Sequence, residues 1–172
     1  MLGTYPISEL PLGTVALGMT YGISNAPGVP DPAAGAQVIH AALQAGITTL
    51  DTARSYGCAE QLIGSVIAGC PAAAPVVVTK FKLDASALAN ADLAQAAAIE
   101  QLTMSLRQLG IPRVPVCLFH MDRTMAPTAW QPVLHRVFAA LKRAGLIAFA
   151  GVSIDHPDAV STFADDPVLE VF

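Results

Sequence analysis

A carboxylate, an ammonium, an imidazole and a hydroxyl each close an apolar run of this sequence. Asp51 follows ITTL, Lys80 ends VVVTK, His120 ends VPVCLFH and Ser153 ends IAFAGVS. A phenol, Tyr56, stands just beyond Asp51 in LDTARSYG. A free tyrosine titrates at about pH 10, too high to exchange protons readily near neutrality. An ammonium beside it stabilises the phenolate and lowers that value. A carboxylate paired with the ammonium fixes its place and keeps it charged. An imidazole can hydrogen-bond a carbonyl oxygen and orient it. Together these groups make a proton donor aimed at an oxygen, as carbonyl reduction requires.

Taken singly, each residue has a plainer explanation. A carboxylate at a strand end caps the following loop, and a lysine there is a solvated rim residue. A histidine can be satisfied within a core. Only the placement at successive strand ends points to chemistry. His40 and His135 fall inside helical patterns and read as structural or surface residues. Cys58 and Cys117 read as small buried thiols.

The elements that must position these residues follow a repeated order. In VIHAALQAGITTLDT, LTMSLRQLGIPRVPVCLFH and VFAALKRAGLIAFAGVS a helical pattern ends at glycine and an apolar run follows. Glycine tolerates the left-handed conformation of a helix C-cap. Helix, loop and strand in repetition predict βαβ units and a parallel sheet. Strands are expected at 14–19, 48–50, 76–79, 114–119 and 147–152. Helices are expected at 32–45, 59–68, 92–109, 128–144 and 157–163. Asp31 is the expected N-cap of the first helix, with Pro32 at its first position. A sixth strand is expected to start near Val168. No linker or charge run divides the chain, so residues 1–172 read as one domain. In parallel α/β folds the carboxyl ends of the strands share one face, and the loops there build the active site.

Composition narrows the classes. With 53% apolar and 13% charged residues over 172 positions, the chain can bury a sizeable core. A net charge of −4 provides no basic footprint for nucleic acid or anionic membranes. Three cysteines without CxxC spacing predict neither a disulfide framework nor a metal site, and they fit a reducing, cytoplasmic setting. MLGTYPISEL lacks a basic segment followed by an apolar one, so no signal peptide is expected. The uncharged stretches 32–50 and 61–79 are broken by proline, glycine or polar residues and predict no membrane span.

GITTLDTARSYGCAEQLIG resembles the signature of the aldo-keto reductases, in which Asp-Thr-Ala is followed by Tyr-Gly and then Glu-x-x-aliphatic-Gly. VVVTK, CLFH and GVS are similar to later motifs of that family in the same order, and LGTVALGMTYGI to its first strand. The resemblance covers nearly the whole chain. It implies a TIM (β/α)8 barrel and reduction of an aldehyde or ketone by NADPH or NADH. By matching motif positions, Tyr56 is implied as general acid, Lys80 and Asp51 as its pKa-lowering pair, and His120 as the substrate-orienting donor. Asp51 and Ser153 are implied as cofactor-facing residues, Ser153 at the nicotinamide carboxamide. The parent enzyme is expected to be a monomer or weak oligomer.

Two departures shape the expectation. Ile154 stands where the family often has Asn after Gly-Val-Ser. A full barrel takes roughly 250 residues. This chain is therefore expected to hold about five βα units and the start of a sixth strand, the N-terminal two-thirds of the barrel, inactive on its own. The alternatives are a catalytically silent binding or regulatory module, or a self-contained doubly wound α/β domain. The second is weakened by the absence of Gly-x-Gly-x-x-Gly after the first strand. Loops 20–30 and 121–130 are expected to shape the pocket, with Trp130 packing at the start of its helix.

Overall fold

The structure, a computed structural model, describes residues 1–23, 25, 28–69, 74–121, 127–154 and 158–172, with only the backbone at 127–129 and 158–159. The elements run β1 (Leu12–Gly13), α1 (Val15–Gly18), α2 (Pro32–Gln44), β2 (Thr49–Asp51), α3 (Ala59–Gly69) and β3 (Val76–Phe81). They continue with α4 (Ala85–Leu88), α5 (Ala91–Leu109), β4 (Val114–His120), α6 (Pro127–Arg143), β5 (Ile147–Ser153) and α7 (Asp158–Phe163).

The five strands are all parallel and lie in sequential order, β1-β2-β3-β4-β5. A doubly wound domain reverses its strand order at a switch point. Here the order never reverses, which excludes that alternative and leaves the progression of a (β/α) barrel. β3 is buried along its whole length, which explains why it opens with the unbroken apolar run VVV rather than alternating with solvated residues. One face of the sheet packs against the helices in a large core that includes Leu50, Val77, Phe119, Leu134 and Phe138. The other face carries a smaller cluster, Val78, Val116 and Leu118, against Leu2, Phe149 and Val171. Tyr5 meets the Phe149 ring edge-on with centroids 6.2 Å apart. The N-terminal turn, bridged between Leu2 and Tyr5, therefore covers part of this inner face.

Helix boundaries follow local chemistry. The Asp31 side chain accepts from the Ala34 amide at 2.9 Å, and Pro32 opens α2. Asn90 caps α5 by accepting from Asp92 and Leu93. Gly46, Gly110 and Gly145 all have positive φ after their helices, as a left-handed cap needs.

The first expected strand is corrected. Instead of strand over 14–19, only Leu12–Gly13 pair with β2, and Val15–Gly18 coil into α1. The Thr14 amide and hydroxyl both donate to the Asp51 carbonyl, each at 2.9 Å, as the last rung of the β1–β2 ladder, and the chain turns into α1 directly after it. The short helix α4, capped by Asp84 through the Ala87 amide, was not expected either. The sixth strand expected near Val168 is present as a parallel bridge, Gly151 to Val171, on the free side of β5.

Candidate active site

Asp51 ends β2, Lys80 lies near the end of β3, His120 ends β4 and Ser153 ends β5. The ladder puts Lys80 opposite Leu118 and His120 opposite Ser153. All four therefore stand at one rim. Tyr56 follows in the loop between β2 and α3.

The Lys80 side chain is the centre of this cluster. Its Nζ donates to Asp51 Oδ1 at 2.6 Å and to the Thr52 carbonyl at 2.9 Å. It also lies 5.0 Å from the centroid of the Tyr56 ring, within cation–π reach. The His120 ring stands perpendicular to the Tyr56 ring, with centroids 6.2 Å apart. Lys80 is only 5% exposed, whereas Asp51 keeps about a third of its side chain in solvent. Burial pushes the Lys80 ammonium below its ordinary titration range, and Asp51, by charge and hydrogen bond, only partly restores it. The result is a cation that gives up its proton more readily than a surface lysine.

The loop carrying Tyr56 is held from both sides. The Thr52 amide donates to Val78 and the Arg54 amide to Lys80, so the β2–β3 ladder continues past the end of β2. On the other side Cys58 donates its amide to the Gly18 carbonyl at 3.2 Å. A Cβ on Gly18 would fall inside the Tyr56 carbonyl oxygen, so α1 approaches this loop with nothing to spare. Gly57 adopts a φ of 58°, and a Cβ there would strike the Gly18 carbonyl.

Other residues singled out from sequence fall elsewhere. His40 is exposed on α2. His135 Nε2 meets Asp166 Oδ2 at 2.7 Å and ties α6 to the segment after α7. Trp130 is 5% exposed and packs between the rings of Phe119 and Phe163, at 5.2 and 5.7 Å. Cys117 is buried, and burial followed by the charge of Glu60 pushes its thiol far up, out of reactive range. Cys58 is corrected from buried to exposed, because the loop before α3 carries it on the outside. Loops 20–30 and 121–130 lie partly outside the described residues, at 24, 26–27 and 122–126. Among the described residues no group of three His, Cys, Asp or Glu side chains could hold a metal, and no helix is long and apolar enough to cross a membrane.

Glu60, Thr79 and Arg54 were not expected at the site. Glu60 in a first helical turn reads as an ordinary solvated residue beside the helix dipole, and only its burial in the fold distinguishes it.

A sequential parallel sheet with helices on its outer face is the progression of a (β/α) barrel, and here polar groups gather at the carboxyl ends of its strands. The chain belongs to the aldo/keto reductase family, whose model matches residues 9–168. An aldo-keto reductase from Pseudomonas aeruginosa is similar at 30% identity and a TM-score of 0.66, over 86% of this chain and 56% of that one. A glycerol dehydrogenase from Gluconobacter oxydans is similar at 26% identity and a TM-score of 0.70, over 96% and 50%. An aldo-keto reductase from Klebsiella pneumoniae, solved with NADP and acetate, shares the fold at 21% identity and a TM-score of 0.66, over 92% and 50%. The chain spans about half the length of these structures. No curated protein matches the sequence.

Proposed function

We propose that this chain carries the proton-donating side of an NAD(P)H-dependent reductase that converts an aldehyde or ketone to an alcohol. The observation that carries the reading is Lys80 Nζ, held 2.6 Å from Asp51 Oδ1 and 5.0 Å from the Tyr56 ring centroid. Family membership and the NADP bound by the Klebsiella relative support the same reading.

Tyr56 donates its proton to the carbonyl oxygen as that oxygen gains negative charge. The phenolate left behind is stabilised by the Lys80 ammonium. Asp51 keeps that ammonium in place and offsets the cost of burying it. His120, edge-on to Tyr56, orients the carbonyl oxygen by hydrogen bonding and stabilises its developing charge. A nicotinamide cofactor, when bound, supplies the hydride. The donor set suits such a ring: the Ser153 hydroxyl is half-buried and in register with His120, a placement able to serve a carboxamide. Ile154 adds no polar group beside it, so Ser153 and Asp51 are the cofactor-facing residues of this part of the rim. Residues 1–172 by themselves are expected to turn over poorly, because remote binding groups normally support the reacting centre and the chain spans half the length of its solved relatives.

The test compares Tyr56→Phe with the wild-type protein. Reduction of a generic aldehyde should fall by about 10²–10⁴-fold, while NADPH affinity by fluorescence titration stays near wild type. Unchanged turnover would remove Tyr56 from the role of acid.

A further inference from the structure

Glu60 lies in the first turn of α3, yet it is only 1% exposed. Its Oε1 accepts from the Thr79 hydroxyl at 2.6 Å. Its Oε2 makes no hydrogen bond among the described residues and faces Arg54 Nη1 at 3.8 Å. A buried carboxylate is costly, and removing its partners is more costly still. Its position relative to Lys80 gives the cost a purpose.

Thr79 directly precedes Lys80 on β3, and successive side chains of a strand point to opposite faces. Thr79 therefore turns toward the helices while Lys80 turns to the other face. Arg54 donates its amide to the Lys80 carbonyl at 3.0 Å, and its Nη1 donates to Gln108 Oε1 at 3.2 Å. The segment that bears Tyr56 is thus tied to β3 at both ends, through Arg54 to Lys80 and through Glu60 to Thr79. The Arg54–Glu60 ion pair joins the two ties to each other.

We propose that Glu60 is a positioning residue that holds Tyr56 at the Lys80 ammonium by clamping its loop to β3 through Thr79 and Arg54. The inference rests on the reading of Tyr56 and Lys80 as the proton-donating pair. Among the described residues, the charged and titratable groups that face Tyr56 include Lys80 from β3, with Asp51 of β2 paired to it, and His120 from β4. Cys58 follows on the same loop, and α1, with sequence VALG, contributes none. Glu60 acts on the phenol only through the backbone it anchors.

The experiment is a titration of phenol absorbance in the full chain, with the Tyr56→Phe curve subtracted to remove Tyr5 and Tyr21. The wild-type Tyr56 midpoint should lie below the ordinary value of about 10 and return to it in Lys80→Met. Glu60→Ala and Thr79→Val should each move the midpoint up toward that ordinary value. Glu60→Gln, whose amide oxygen can still accept from Thr79, should move it less. Thr79→Val keeps the shape of the core and serves if Glu60→Ala fails to fold by circular dichroism. Lower melting temperatures with a Lys80-dependent midpoint that ignores Glu60 and Thr79 would overturn the clamp and leave the Tyr56–Lys80 pair standing. A wild-type midpoint that is ordinary and indifferent to Lys80→Met would overturn both.

Discussion

At the residue scale, the site turns on one buried ammonium. Burial lowers the Lys80 pKa more than Asp51 raises it, from the ordinary 10.5. The folded chain therefore binds this proton less tightly than the unfolded chain does. Between the lowered value and 10.5, unfolding takes up a proton, so raising the pH favours the folded state. Below the lowered value the penalty is at its full and constant size. The wild type should accordingly gain stability relative to Lys80→Met as the pH is raised from about 7 toward about 10. Urea unfolding of both proteins across that range checks it. A wild-type advantage that shrinks with pH would mean that the Asp51 ion pair outweighs burial. The five residues of the rim were legible in the sequence because polar groups close successive apolar runs, with Tyr56 just beyond the first, and only that joint placement marks them. Glu60 was visible only as part of the resembling motif, and its burial was not legible, since an acidic residue in a first helical turn is already explained by the helix dipole.

At the element scale, packing between helices sets where the loops can go. Gly64 of α3 meets α5 so closely that a Cβ would fall inside the Gln108 carbonyl oxygen. Gln108 is also the residue that accepts from Arg54, so this contact and the Tyr56 loop share a wall. Gly64→Ala should destabilise the fold by roughly 1–3 kcal/mol, the usual cost of overpacking, as read by thermal or urea unfolding. A variant as stable as wild type would show that the helices can move apart freely. The strands expected at 76–79, 114–119 and 147–152 were legible because strands buried in a parallel sheet are mostly apolar, and they extend to 81, 120 and 153 in the fold. α1 was not, because VALG fits strand and helix equally well. The ladder to β2 ends with the bonds from Thr14 to Asp51, 37 positions away, and α1 begins there.

At the scale of the whole molecule, the sheet has two ends. Among the described residues, β1 pairs with β2 on one side alone, and β5 meets a single bridge at Val171 beyond its β4 ladder. Unpaired edges template association. Leu10, Tyr21 and Ile23 are more than half exposed near the first edge and the loop after it. Residues 1–172 expressed by themselves should self-associate and bind a hydrophobic dye, as seen by light scattering and fluorescence. A compact, dye-silent monomer would contradict this. The sequence by itself determined the alternation of β2 to β5 with the longer helices between them, the parallel sheet, and which side chains stand at the carboxyl ends of those strands. Those properties follow from local chemistry: glycine caps, the Asp31–Pro32 start, and apolar runs that stop on polar residues. Only the tertiary structure decided that the Lys80 ammonium is shared between Asp51 and the Thr52 carbonyl and lies by the Tyr56 ring. Only it decided that Glu60 turns inward to Thr79. Such contacts join residues distant in the chain and depend on how closely α1, α3 and α5 approach the sheet, a distance that no local pattern encodes.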